Sequence, residues 1–79
     1  MKVNEIVEYK GIGTIQMQLD EDGKKFYRYS HYFFNDFYDE DTIKGAKEML
    51  DFEDDKASEI RKAITTLQIR GYKVYKEIA

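Results

Sequence analysis

The segment that decides the fold covers residues 15–34 and reads IQMQLDEDGKKFYRYSHYFF. From Ile15 to Leu19, apolar residues alternate with glutamines, which is the period of a half-buried β-strand. Asp22-Gly23 is a turn signal, because glycine supplies the positive φ that a tight hairpin connection needs. The pattern therefore predicts a β-hairpin whose second strand covers residues 24–34.

The predicted second strand carries aromatic residues on both of its faces. Alternation places Tyr27, Tyr29, His31 and Phe33 on one face, and Phe26, Tyr32 and Phe34 on the other. Helices of a domain this small can cover only one of these rows. Because large exposed apolar patches are rare on monomers, a homodimer is the simplest cover for the other row.

The segment before the hairpin is ambiguous. Val3, Ile6 and Val7 have helical spacing, whereas Val3, Val7 and Tyr9 fit one face of a strand over residues 3–9, which we favour. Gly11 and Gly13 bracket a single isoleucine and indicate a turn or bulge, which would connect this strand to the hairpin.

Two helices and a last strand are expected after the hairpin. Asp39 or Asp41 would cap a short helix that ends near Phe52, and Asp54 or Asp55 would cap a longer one. The two apolar stripes are Ile43, Ala46, Met49 and Leu50, and then Ala57, Ile60, Ala63, Ile64 and Leu67. Arg70-Gly71 marks the end of the second helix, and residues 72–78 alternate as a strand.

These elements predict one α+β domain over residues 1–79. Its antiparallel sheet would have three to four strands, with two helices packed on one face, in the order ββ(β)ααβ. The expected core consists of Ile15, Met17, Leu19, Ile43, Leu50, Ile60, Ile64, Leu67 and Val74.

Composition excludes several classes of site. The chain of 79 residues has no cysteine, which removes disulfides, thiolate metal sites and thiol nucleophiles. Its first residues lead into Asn4 and Glu5 instead of an apolar signal core, and no long apolar run follows. We expect a cytoplasmic protein with room for one core.

Catalysis and metal binding receive little support from the sequence. His31 is the one histidine, and Ser30 beside it points to the opposite face of the strand, so the two cannot act as nucleophile and base. Asp20-Glu21-Asp22-Gly23 matches part of a calcium loop, but Tyr29 would stand where the closing acid is needed. We expect no enzymatic activity, no metal and no cofactor.

The distribution of charge indicates one region as a candidate binding surface. Residues 36–55 hold nine acids and two lysines, a balance of −7 in a chain whose net charge is −3. Helix caps need only some of these acids, and the surplus around aromatic residues predicts a surface that binds a basic protein. The candidate partner-binding residues are Asp36, Phe37, Tyr38, Asp39, Glu40, Asp41, Asp51, Phe52, Glu53, Asp54 and Asp55.

A second hypothesis places the function on the basic side of the hairpin. Lys24, Lys25 and Arg28 share one strand with several tyrosines, and small domains hold single-stranded nucleic acid by stacking bases on such a sheet. The nearby acidic segment would repel phosphates, so direct nucleic-acid binding is the alternative to the protein-binding hypothesis.

Ten residues of the hairpin carry a family resemblance. The run DEDGKKFYRY, residues 20–29, follows an apolar strand and resembles the hairpin of a small acidic uracil-DNA glycosylase inhibitor of Bacillus phages. That family works as a dimer that imitates DNA and presents acids and an aromatic residue to the enzyme's DNA cleft. The resemblance implies an inhibitor that acts by DNA mimicry on a nucleic-acid-processing host protein. Small size, acidity and the lack of a catalytic set suggest a phage or mobile-element product that serves as an inhibitor or adaptor.

Overall fold

The computed structural model describes residues 1–71, which form a four-stranded antiparallel sheet and one long helix. The elements are β1 (Ile6–Tyr9), β2 (Gly13–Leu19), β3 (Lys25–His31), β4 (Tyr38–Glu40) and α1 (Ile43–Ile69). The α+β class and the antiparallel sheet are confirmed, and residues 3–9 contribute a strand. The predicted strand over residues 72–78, with Val74 of the expected core, lies outside the described residues.

The sheet is a meander in the order β1-β2-β3-β4. The β2–β3 hairpin forms as predicted, with Met17 opposite Tyr27. Its turn is organised by Asp20, whose Oδ1 accepts the backbone N–H groups of Asp22 at 2.9 Å and Lys24 at 2.8 Å. Gly23 adopts φ 79°, the left-handed conformation that its place in the turn requires.

β3 ends at His31, three residues earlier than the alternation predicts. The chain turns there, since the N–H of Asn35 donates to the carbonyl of His31 and Asn35 has φ 60°. Phe33 and Phe34 therefore leave the sheet and pack edge to face against each other. The second aromatic row of the predicted strand is therefore not formed, so it does not supply the exposed face that predicted a homodimer.

The prediction of two helices is wrong, because α1 is continuous from Ile43 to Ile69. Leu50 and Ala57 are seven residues apart and fully buried, so the two predicted apolar stripes lie in phase on one helix. Residues 46–70 contain neither glycine nor proline to interrupt it.

The helix also begins differently from the prediction. Its N-cap is Thr42, whose Oγ1 accepts the N–H of Gly45 at 3.0 Å, and neither Asp39 nor Asp41 serves as the cap. Gly45 consequently lies in the first turn and not in mid-helix, where it would weaken the helix most.

The core lies between α1 and one face of the sheet. Its buried apolar residues are Ile15, Met17, Tyr29, Ala46, Leu50 and Ala57. Leu19, Ile60 and Leu67 were expected in this core but are exposed by 44%, 40% and 40%. The helix runs past the sheet after Ala57, the last of its buried residues, which leaves the later apolar positions without cover from the sheet. Ile43 and Ile64 are half-buried.

Gly13 permits the close approach of helix and sheet. A Cβ atom at this position would contact the Ser30 carbonyl oxygen and would lie 2.9 Å from Cδ2 of Leu50. Any larger residue would clash with the β3 backbone at Ser30 and displace the Leu50 side chain, because interiors are packed too densely to absorb an added methyl group at that distance.

Candidate functional site: an aromatic and acidic cleft

A cleft of about 330 Å³ opens between α1 and the segment that joins β3 to β4. We call it the aromatic–acidic cleft, and it is lined by Tyr29, Phe34, Asp36, Tyr38, Met49, Phe52, Glu53 and Lys56. β3 and β4 contribute the two tyrosines, the connecting segment contributes Phe34 and Asp36, and the helix contributes the other four residues. Apolar walls with a few polar groups are typical of binding sites.

Tyr29 closes the inner end of the cleft. Its side chain is buried in the core, and its ring centroid lies 5.8 Å from that of Tyr38. Burial raises the pKa of the Tyr29 phenol to about 12, and the nearby carboxylates of Glu53 and Glu40 raise it further in the same direction. The phenol is therefore neutral at physiological pH.

Glu53 is a half-buried carboxylate of the cleft, as is Asp36. Burial raises the pKa of Glu53, and Asp36 adds to this effect, whereas His31 and Lys56 lower the pKa. Removal of water thus makes the ionised form of Glu53 less favourable. A cation placed in the cleft would offset that cost.

One cation of the chain already lies at the rim. Nζ of Lys56 is 4.4 Å from the ring centroid of Phe52, within the range of a cation–π interaction. Lys56 is exposed, and Phe52 is 51% exposed. The ring is therefore accessible from solvent, with the exposed Lys56 over one of its faces.

The structure brings together four of the predicted partner-binding residues, namely Asp36, Tyr38, Phe52 and Glu53. Phe37 lies between two of them in the sequence and is 70% exposed. Asp41 and Asp55 are exposed, and Glu40 is half-buried beside Gly45, but none of these three acids lines the cleft.

Three other predicted acids bind partners within the chain. Asp39 accepts two hydrogen bonds from Arg28, at 2.9 and 3.3 Å. Asp51 accepts from the Tyr9 hydroxyl at 3.0 Å and from Lys10 at 3.2 Å. Asp54 lies 3.0 Å from Nε2 of His31. Their carboxylates are engaged within the chain, so the free acidic surface is smaller than the sequence indicates.

Sequence reasoning missed Tyr29, Phe34, Met49 and Lys56 as site residues. Met49, Glu53 and Lys56 have helical spacing and share one side of α1, a signal that was available in the sequence. It was hidden because the helix was expected to break near Phe52, in the middle of that pattern.

The basic residues of the alternative hypothesis do not form a free patch. Lys24 and Lys25 are exposed at the hairpin tip, but Arg28 is committed to Asp39. The hydrogen bonds and charge of Asp39 raise the pKa of the Arg28 guanidinium, as expected for a paired group. Only two of the three predicted cations therefore remain without an acidic partner in the salt bridges observed within residues 1–71.

Comparisons of the chain with protein families, with curated proteins and with solved structures gave no match. The resemblance of the hairpin to the glycosylase inhibitors stays a prediction. Within residues 1–71, no three His, Cys, Asp or Glu side chains are grouped as metal ligands. No helix in the same range has the length and apolar character that a membrane crossing requires.

Proposed function

We propose that this protein is a binding module whose aromatic–acidic cleft receives a lysine or arginine side chain of a basic partner protein. The observation that carries the proposal is the pairing of two carboxylates, Asp36 and Glu53, with the exposed ring of Phe52 and the ring of Tyr38. Carboxylates supply ion pairs for a cationic head, and aromatic faces attract the same charge.

The size of the cleft fits this ligand. A volume of about 330 Å³ is at the lower end for ligand pockets and suits one side chain better than a cofactor. Lys56 would move aside from Phe52, and the incoming cation would take its place over the ring. The exposed Phe37 and Asp41 would extend the contact around the cleft.

Binding instead of catalysis is supported by the state of the one histidine. His31 is 1% exposed, and both of its ring nitrogens are engaged in hydrogen bonds, with the Phe33 N–H and with Asp54. A side chain held in this way is a poor general base. A nucleic-acid-processing host protein as the partner is supported by the hairpin resemblance and by the acidic charge of residues 36–55, which suits a basic nucleic-acid groove.

The test uses a tetra-arginine peptide as the probe and follows its binding by NMR chemical-shift titration. Glu53→Gln is expected to weaken binding by about tenfold, the equivalent of about 1.4 kcal/mol. Glu59→Gln is the matched control, because it removes the same charge from an exposed position outside the cleft. Equal losses in the two variants would reduce the interaction to non-specific attraction and would overturn the proposal.

The titration also has a pH signature. Glu53 must ionise to attract the cation, and its pKa is raised by burial. Affinity should therefore begin to fall at a higher pH on acidification than an ordinary glutamate would allow. The Glu53→Gln variant should lack this pH dependence. Phe52→Ala should weaken binding but keep the same pH dependence. Chemical-shift changes at the residues of the cleft, without changes at the hairpin tip, would place the peptide in the cleft.

A further inference from the structure

The last three turns of α1 carry apolar residues that the sheet does not cover. Ile60 and Leu67 are each 40% exposed, and Ile64 is half-buried. The spacing of four and three residues places the three side chains on one face of the helix, and Ile64 lies seven residues beyond the buried Ala57. We call these three residues the terminal stripe.

Charge is divided along the same helix. Residues 51–59 contain five acids and one lysine, whereas residues 60–70 contain three basic residues and no acid. In an antiparallel pair centred between Ala63 and Ile64, Arg70 at the basic end of one helix lies opposite Ala57, within the acidic part of the other, whereas Arg61 and Lys62 lie opposite the uncharged Thr66 and Thr65. A parallel arrangement would place the two basic ends side by side, where like charges repel.

The terminal stripe is also complementary to itself. In an antiparallel pair centred between Ala63 and Ile64, Ile60 of one chain faces Leu67 of the other, and the two-fold symmetry repeats the contact. Such isologous contacts are the commonest way in which identical chains associate.

We infer that the terminal stripe is the interface between two copies of this chain, joined by an antiparallel contact of their α1 helices. Three apolar residues per copy bury less than the roughly 800 Å² per partner of a stable interface. The dimer should therefore be weak, with a dissociation constant of roughly tens to hundreds of micromolar. This contact uses neither the cleft nor the aromatic residues of β3, so it stands apart from the proposed function.

Sedimentation equilibrium tests the inference. The average mass of the full chain should rise from 9.4 kDa toward twice that value as the concentration increases through this range. Leu67→Asp should hold the mass at 9.4 kDa. Ile69→Asp is the matched control, because Ile69 is 81% exposed and lies off the terminal stripe, and this variant should associate like the wild type. Added salt should weaken association by screening the opposite charges.

Engineered cysteines test the direction of the pair, since the chain has no other thiol. In an antiparallel dimer, a mixture of Ile60→Cys and Leu67→Cys chains should cross-link between the two variants on mild oxidation, and each variant alone should cross-link poorly. Efficient cross-linking of each variant with itself would contradict the antiparallel arrangement. This experiment needs no aspartate in the stripe, so it holds even where Leu67→Asp disturbs folding.

A wild-type mass of 9.4 kDa at all concentrations up to about 1 mM would overturn the inference, because no dimer would then form in the expected range. If the Leu67→Asp variant is then also less stable than the wild type, the terminal stripe is covered by residues of its own chain. Equal association of the Leu67→Asp and Ile69→Asp variants would also overturn it, by placing the contact elsewhere.

Discussion

His31 shows how a single side chain ties the end of a strand to the helix. The Phe33 N–H donates to Nδ1 at 3.0 Å, so the ring carries its proton on Nε2 and donates it to Asp54 at 3.0 Å. The imidazole thus holds the chain reversal after β3 and the middle of α1 together.

Replacing His31 with leucine should lower the free energy of unfolding by about 2 kcal/mol, because two hydrogen bonds of about 1 kcal/mol each are lost at a buried position. Urea unfolding followed by circular dichroism measures this loss. Tyr32→Leu is the control. Tyr32 is next to His31 in the sequence but is 54% exposed, so its replacement should change the free energy of unfolding by less than about 0.5 kcal/mol. Similar losses of stability in both variants would contradict a structural role for His31.

Tyr29 predicts how stability depends on alkaline pH. Its pKa is about 12 in the folded protein and about 10 in an unfolded chain, so folding favours the neutral phenol. The contribution is fully present below pH 10 and is lost as the pH rises toward 12. Between pH 9 and 11, the free energy of unfolding of the wild type should fall by about 1 kcal/mol more than that of Tyr29→Phe. Parallel pH profiles from urea melts of the two proteins would contradict this.

At the scale of elements, the continuity of α1 can be tested at Asp55. With two helices and Asp54 as a cap, position 55 would be the first helical residue, where proline is tolerated. Inside a continuous helix, proline should cost about 3 kcal/mol. We therefore expect Asp55→Pro to melt far below Asp55→Ala, which keeps the backbone N–H and removes the same charge. Equal melting temperatures would favour two helices.

At the scale of the whole molecule, α1 should be protected unevenly against hydrogen exchange. Amides up to Ala57, the last buried residue of the helix, should exchange slowly because they lie over the sheet. Amides of residues 60–69 should exchange faster in a dilute sample and slow down as the concentration rises, if two copies pair there. Mass spectrometry of peptides from both halves measures this, and uniform protection along the helix in dilute solution would contradict it.

Comparison of prediction and structure separates local from long-range information. The β2–β3 hairpin was predictable because its alternation and its Asp-Gly turn are contained within a few residues. The helical stripes were predictable for the same reason. The join of the two helices was not, because acids near Phe52 are equally compatible with a cap and with a helix interior, and only the common burial of Leu50 and Ala57 decides between them.

By itself, the sequence determined the α+β class, the hairpin, the helical faces and the crowding of acids around aromatic residues, since each depends on neighbours along the chain. Tertiary structure decided which acids are free. Asp39, Asp51 and Asp54 have partners 11, 42 and 23 residues away, at distances where no local pattern applies. The cleft also depends on tertiary structure. Its walls come from β3, β4, α1 and the segment that joins the two strands, and these meet only when the helix packs on the sheet.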